Sequence, residues 1–416
     1  ITWHSPGVWA WQSGHNRIVH NELHHSGYSA VLITTRVNPG QSLNGEGGRT
    51  VRRHEIAQDE RVRGRGGYES WQHREKYLHS RHNLFEYNEI SHAVQLLSDG
   101  NGIYVSGTGA GNIVRYNYLH DNLAHSLPAA IRCDDDQHET LIYGNVLYNN
   151  RGFSAGIASK GINDIVNNFI VDPAQVPSSG YISFEWVPVP GSEVQRNIIV
   201  SHPDGGKAHN ERYRGKDNGG RPKPKLVDTD MDNNLYYHPT DPNWMDEHLS
   251  KMQAVGKEKA SLVGDPLFVD PAGGDFSFRE GSPALKLGIE PLDVSKMGRK
   301  DRGRKANNPE HQEQNAHYPA FSWDTVPVGF HFGKNGGLMT PEEAEFVASH
   351  ASFICLEKGH AGGQFKYTEE GIEQEARQLK KLNPDMKVIF YWNTFLDYGM
   401  FRAHQDYQQH PDWWLK

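Results

Sequence analysis

Residues 129–139 read AAIRCDDDQHE, placing three consecutive carboxylates, Asp134, Asp135 and Asp136, after a short apolar run. Like charges so close repel, and crowding raises the pKa of one group while its neighbour stays ionised. A proton donor beside an ionised carboxylate is the pair that glycoside hydrolysis requires. The same oxygens are hard ligands suited to Ca²⁺. The plainer reading is a charged turn with ion pairs to Arg132 and Lys160. The elements that position these residues decide between the readings.

Those elements repeat. NRIVHNEL (16–23), NLFEYNEI (83–90), NIVRYNYL (112–119), TLIYGNVL (140–147), NDIVNNFI (163–170) and SEVQRNII (192–199) each place an asparagine five residues after a polar start. The aligned residues are Asn21, Asn88, Asn117, Asn145, Asn168 and Asn197, with Asn234 in TDMDNNLY as a weaker seventh. Successive gaps of 67, 29, 28, 23, 29 and 37 residues, with β-branched and aromatic residues broken by Gly and Asn, suit short strands stacked coil on coil. The fold class expected is an all-β right-handed parallel β-helix, a solenoid with a buried asparagine ladder. The 67-residue gap is expected to hold one extra coil plus an insertion. Residues 36–82 carry ten Lys or Arg against six Asp or Glu and read as a basic surface excursion.

A second strand follows each asparagine element. Aligning Ile103, Ile131, Ile157 and Ile182 and applying the period of two points Ile131 and Cys133 inward, Arg132 and Asp134 outward. Two outward columns follow: Tyr104, Arg132, Ala158 and Ser183, then Ser106, Asp134, Lys160 and Glu185. Asp99, in SDGNGIY, sits on the neighbouring coil just before its strand, within reach of Asp134 or Asp135. Candidate catalytic residues are therefore Asp99, Asp134 and Asp135. Tyr104, Arg132, His138, Lys160 and Glu185 are the candidate substrate contacts. Cys133 reads as a small core residue.

Composition narrows the classes. The 416 residues carry 43 basic and 51 acidic side chains, a net charge of −8, which weighs against nucleic acid as a partner. No apolar run approaches the length of a membrane span. Two cysteines exclude a disulfide framework and a cysteine-rich metal site. Among 24 histidines, His20, His24 and His25 cluster, and His125 and His138 flank the acidic run, yet no spacing sets three or four ligands together. No metal ligand and no cofactor are expected. Oligomeric state is not legible. The chain opens at Ile1 inside a patterned segment, which reads as a fragment of a protein that is secreted, periplasmic or on a bacterial cell surface.

Further along, 241–257 reads as one helix and 265–289 as a last strand pair with a turn. Residues 1–300 form the expected solenoid and the polar 301–325 a linker. From 326 strands and helices alternate: VPVGFHFG, the Thr-capped TPEEAEFVASH, ASFICLEKG, TEEGIEQEARQLKKLNP and KVIFYWNTF. Alternation implies a parallel sheet. About 90 residues fall short of the roughly 250 of a (β/α) barrel, so 326–416 reads as the start of a truncated barrel-like domain.

LFEYNEISHAVQLLSDGNGIYVSGTGAGNIVRYNYLHD, AAIRCDDDQHETLIYGNVLYN, GIASKGINDIVNNFIVD and DPLFVDPAGGDFSFREGSPALKLGI together resemble right-handed parallel β-helix proteins of the pectate-lyase-like superfamily. The likeness is strongest to β-helical glycoside hydrolases of family 141 type, over residues 1–300. It implies catalytic aspartates on neighbouring coils, mapping onto Asp99 and onto Asp134 or Asp135. α-Fucosidase and xylanase activities in that group imply hydrolysis of a plant or algal polysaccharide. RCDDD stands here where LDD is more usual. The tail resembles the start of a glycosyl-hydrolase-like barrel, with Glu357, Trp392 and Asp397 near strand ends as its sugar-facing residues.

Two other functions fit the same residues. A calcium-dependent polysaccharide lyase would hold Ca²⁺ on Asp134–Asp136 and use Lys160 or Arg132 as base on a uronate. A non-catalytic glycan-binding solenoid would stack sugars on Tyr104, Trp186, Trp9 and Trp11.

Overall fold

The chain divides into two compact units, Ile1–Arg302 and Gly303–Lys416. The computed structural model describes residues 6–35, 68–124, 129–171, 174–220, 222–300, 329–391 and 398–410. The expected linker 301–325, together with His125, Trp392 and Asp397, lies outside them.

In the first unit the repeats fold as short parallel strands. A front sheet of seven runs in the order β1 (Val8–Trp11), β2 (Val31–Thr34), β3 (Ile103–Ser106), β4 (Ala129–Asp134), β5 (Ala155–Ser159), β6 (Ile182–Glu185) and β7 (His209–Arg212). A second sheet of seven strands starts at Arg17–Val19, and a third of eight starts at Glu22–His24. The chain visits front, second and third sheets in turn and returns one strand further on, an order compatible with a parallel β-helix. Pairing sets Ile103, Ile131, Ile157 and Ile182 in one row. These residues fill the core with Val105, Cys133 and Phe184 two places on. Burial pushes the Cys133 thiol up to about 12, as for an inert core residue.

The corner between the second and third sheets carries the asparagine ladder. From Asn88 to Asn234, each Oδ1 accepts the backbone N–H and the Nδ2 of the asparagine one coil back, at 2.8–3.1 Å. The residue before each asparagine is left-handed: His20, Tyr87, Tyr116, Gly144, Asn167, Arg196 and Asn233 have φ between 53° and 64°. Six are not glycine, and the left-handed form costs an ordinary residue roughly 1–2 kcal/mol. Ladder bonds at about 0.5–1.5 kcal/mol each offset that cost. The polar starts form a second ladder, Asn16 to Asn83 to Asn112.

Among the described residues the 67-residue gap holds no extra coil. Asn21 bonds directly to Asn88, and Leu23 pairs with Ile90. The part of the expected insertion that is described includes helix α1 (Tyr68–Glu75).

After the coils, helix α2 spans Asp246–Ala254, shorter than the 241–257 expected. The expected strand pair is an antiparallel hairpin, Phe268–Asp270 with Asp275–Phe278. Its Phe268 and Phe276, with Leu287, Leu292 and Met297 beyond, pack on Val146, Phe169 and Ile198 of the third sheet. This strap runs back along the ladder corner, where Glu290 exchanges bonds with Asn167 and Gly298 N–H donates to the Tyr87 carbonyl.

The second unit has a parallel three-stranded sheet, Gly329–Phe332, Phe353–Leu356 and Lys387–Phe390. Helices Pro341–His350 and Thr368–Leu382 connect the strands. Thr340 and Glu343 form a reciprocal cap on the first helix. Among the described residues no helix is long and apolar enough to cross a membrane.

Asn145 sits mid-ladder and buried, accepting from Asn117 N–H and Nδ2 at 3.0 and 2.9 Å. Asn145→Ala strands the buried Asn117 N–H, at about 1–3 kcal/mol. It also removes the bonds that Asn145 Nδ2 donates to Asn168 and the Val114 carbonyl, while Asn117 Nδ2 keeps the Phe85 and Arg115 carbonyls. Urea unfolding is expected to show a loss of about 3 kcal/mol; a loss below about 1 kcal/mol would mean the ladder carries little stability.

Candidate functional site

β4 ends at Asp134, and the next two residues turn left-handed, Asp135 at φ 55° and Asp136 at φ 62°. Aspartate tolerates this conformation better than most side chains. The turn gives each of the three carboxylates its own set of partners.

Asp134 is gripped hardest. Lys160 Nζ pairs with Oδ1, Arg132 Nε donates to Oδ2 at 2.9 Å, and Tyr104 Oη donates to Oδ2 at 3.1 Å. The backbone N–H of Asp135 adds a bond to Oδ1 at 2.6 Å. Register explains the grip. Tyr104 lies opposite Arg132, and Lys160, one place beyond the Cys133–Ser159 pair, stands level with Asp134. Arg132 faces Ala158, then Ser183 on β6. Those small side chains leave room for the guanidinium to reach Glu185 Oε2 at 2.8 Å. Glu185, wholly buried, also pairs with Arg212 at 3.2 Å through Oε1. A string of alternating charge, Lys160–Asp134–Arg132–Glu185–Arg212, thus crosses four strands.

Burial pushes the Asp134 carboxyl up, but the Lys160 ammonium and the Arg132 guanidinium win and hold it well below the usual carboxylate range. Burial also works against the Arg132 charge, and Asp134 and Glu185 more than offset it.

Asp136 is tied into the insertion. Arg74 of α1 donates to its Oδ2 at 2.7 Å, and His138 Nε2 lies 3.3 Å from Oδ1. His138 Nδ1 accepts the Ile162 N–H at 2.9 Å, so its proton sits on Nε2 and faces Asp136. Trp71 packs beside that ring and donates from Nε1 to the Thr108 carbonyl. Gly161 lets the next coil press on the corner, since a Cβ there would lie 2.0 Å from the Gln137 oxygen. Asp135 is bonded by Ser106 Oγ at 2.8 Å and is the one member of the triplet that is only half-buried.

These positions correct several expectations. The outward columns pair as read, yet their members are not open to solvent. Tyr104, His138 and Glu185 are buried among protein partners, and Arg132 is buried in its two ion pairs. Lys160 keeps 19% of its side chain exposed. Nor do Asp134, Asp135 and Asp136 converge on a Ca²⁺ position, because lysine and arginine take Asp134, and arginine and histidine take Asp136. Asp99 stands in the left-handed turn before β3 with φ 70°, and its carbonyl accepts Tyr28 Oη at 3.2 Å. Tyr28, Leu32 and Tyr104 form one buried cluster, in which Tyr28 bonds the Asp99 carbonyl and Tyr104 the Asp134 carboxylate.

Arg74, Trp71 and Arg212 were not among the candidate residues. The basic composition of the insertion was the available signal for Arg74, whereas nothing local marked Arg212 as a partner of Glu185. On the same front face lie Trp9 and Trp11, both exposed and stacked with centroids 5.4 Å apart and planes within 4°. Trp186 is half-buried beneath the guanidinium groups of Arg212 and Arg214. In the second unit Glu357 pairs with Lys358 and His331 at its strand end.

No known protein family matches the chain, and no curated protein matches it.

Arg132→Met leaves Asp134 and Glu185 each short of a buried cation, and is expected to cost about 3–5 kcal/mol in urea unfolding. Asp134 has a folded pKa below its unfolded value of 3.8, so its ion pairs stabilise the fold above that pH and fade as pH falls below it. The gap in Tm between wild type and Asp134→Asn is expected to be widest near neutrality and to narrow in acid. A gap independent of pH would contradict the ion-paired carboxylate.

Proposed function

We propose that residues 1–300 form a right-handed parallel β-helix with glycoside hydrolase activity on a plant or algal polysaccharide. The proposal includes a secreted or cell-surface location. The observation that carries it is the division of labour at the acidic corner: an ionised, fully committed Asp134 beside a half-buried Asp135. A general acid must exchange its proton with solvent and touch the glycosidic oxygen. Asp135 meets both requirements better than Asp134, whose oxygens are already engaged by Lys160, Arg132 and Tyr104. Asp135 is therefore the acid, Asp99 the second carboxylate, and Asp134 the fixed charge that orders the corner. The resemblance of the DGNGIY and IRCDD segments to β-helical glycosidases supports the same pair.

Trp9 and Trp11 support a binding path. Register places Trp11 in one column with Thr34, Ser106 and Asp134. At about 4.8 Å per strand, three steps separate the tryptophans from the acidic corner by about 14 Å. A short run of an extended glycan spans that distance, a sugar face resting on an exposed face of the stacked indoles. The second unit is read as the first part of a (β/α) barrel, with Glu357 at its sugar-facing end.

The same tryptophan pair favours a second reading, a glycan-binding solenoid without turnover. Reducing-end release from fucose-, xylose- and uronate-bearing glycans separates the two. Hydrolysis is expected, falling by about 10²-fold or more in Asp135→Asn and in Asp99→Asn, with Trp9→Ala raising KM. Binding lost in Trp9→Ala with no turnover by wild type on any of these glycans would replace the hydrolase reading. Unsaturated, ultraviolet-absorbing products would establish a lyase instead.

A further inference from the structure

The asparagine ladder ends in a group of side chains that plays no part in the acidic corner. The backbone N–H of Asn234 donates to Ser261 Oγ at 2.9 Å, and Ser261 Oγ donates in turn to Glu258 Oε2. Glu258 is wholly buried and left-handed at φ 52°. Among the described residues no lysine or arginine pairs with it. Its neighbours are instead Tyr236, whose Oη donates to Oε1 at 2.5 Å, and His248 of α2, whose Nε2 lies 3.6 Å from Oε1.

Hydrogen-bond direction fixes the state of a third neighbour. Tyr236 Oη has one proton, and it goes to Glu258. The 2.8 Å contact from His209 Nε2 to Tyr236 Oη is therefore a donation from the imidazole. The proton of His209 sits on Nε2, and Nδ1 is a bare lone pair. That nitrogen is buried, with the residue 7% exposed, and has no hydrogen-bond partner. His248 Nε2 is likewise buried and has no hydrogen-bond partner. The two imidazoles stack at 5.2 Å with planes 27° apart. One donor atom from each of His209, His248 and Glu258 lies within 4.8 Å of the others.

A buried carboxylate that has hydroxyl and amide donors but no lysine or arginine, beside two ring nitrogens without hydrogen-bond partners, is costly unless a cation completes the group. Two imidazoles and one carboxylate match Zn²⁺ and not the all-oxygen preference of Ca²⁺ or Mg²⁺. We propose that His209, His248 and Glu258 bind one Zn²⁺ that clamps helix α2 onto the last coils of the first unit. Donors about 2.1 Å from a tetrahedral ion stand about 3.4 Å apart, so the group closes by about an ångström on binding. His248, with 19% of its side chain exposed, gives the ion its way in. Tyr236 holds the Glu258 carboxylate and the His209 tautomer in place. The ion joins three separate pieces of chain: the final front strand, the helix and the end of the ladder.

The full chain, stripped with chelator and dialysed, is titrated with Zn²⁺ by calorimetry, with bound metal counted by mass spectrometry and Tm followed by circular dichroism. Wild type is expected to take up about one tight Zn²⁺ per chain and to gain Tm on binding. His248→Ala, at a helix position that alanine favours, is expected to fold but to weaken binding by more than the roughly 10–100-fold that loss of an outer partner costs, and to lose the Tm response. His248→Gln repeats the test if alanine unfolds the cap. His25→Ala, in the separate His24–His25 pair with Nδ1 atoms 3.0 Å apart, is expected to bind as wild type does. Absence of Zn²⁺ uptake by wild type overturns the proposal, as does uptake undiminished in the His248 variants or abolished in His25→Ala. A Tm unchanged by bound Zn²⁺ overturns the clamp.

Discussion

Parallel pairing in register is the constraint on which the molecule depends. Strands about 4.8 Å apart give each side chain two neighbours at the same position on adjacent strands. A repeat that places asparagine at one corner must therefore stack asparagines, and each amide must serve both its neighbours. The ladder from Asn21 to Asn234 does so, and it holds six non-glycine residues in the left-handed corner conformation. A column that carries an aspartate must likewise face whatever the next strand offers, and Lys160 stands where Asp134 needs a cation.

The rule also accounts for what is absent from the front face. Outward-pointing positions on an open sheet would be wet. Here long side chains lie across their neighbours, with Arg132 passing over Ala158 and Ser183 to Glu185, so that charge is buried as a paired string. Clustered carboxylates then cost little, because each has its own partner. What is left for chemistry is set by exposure, and Asp135 is the half-buried member of the triplet. At the other extreme, the second sheet ends at Asp230–Asp232, while the third gains only the two-residue strand Leu262–Val263, which brings no further asparagine to the corner. The last ladder asparagine, Asn234, meets Ser261 and Glu258 instead, and beside them the buried His209 Nδ1 and His248 Nε2 have no hydrogen-bond partner.

The repeat made the coils legible in the sequence, because the asparagine spacing, the isoleucine row and both outward columns are local patterns repeated many times. The columns read from Ile103, Ile131, Ile157 and Ile182 are those of the structure. The site was legible in identity and not in exposure. A period of two tells which side of a sheet a residue occupies, but not whether an insertion or a neighbouring loop covers that side. Trp71 and Arg74 arrive from α1, 62 residues before Asp136 in the case of Arg74. The 67-residue gap misled for the same reason, since length alone does not separate a coil from an excursion. His209, His248 and Glu258 carry no spacing signal at all, because a strand, a helix and a turn supply one residue each.

The most direct test of this account follows the side-chain carboxyl carbon of Asp134 in a ¹³C NMR titration of the folded protein. If register supplies Lys160 and Arg132 as fixed partners, the Asp134 signal stays that of a carboxylate from neutral pH down through the ordinary aspartate range near 3.8. A midpoint at or above that value would mean that the cations do not hold it, and that the corner is not built as described.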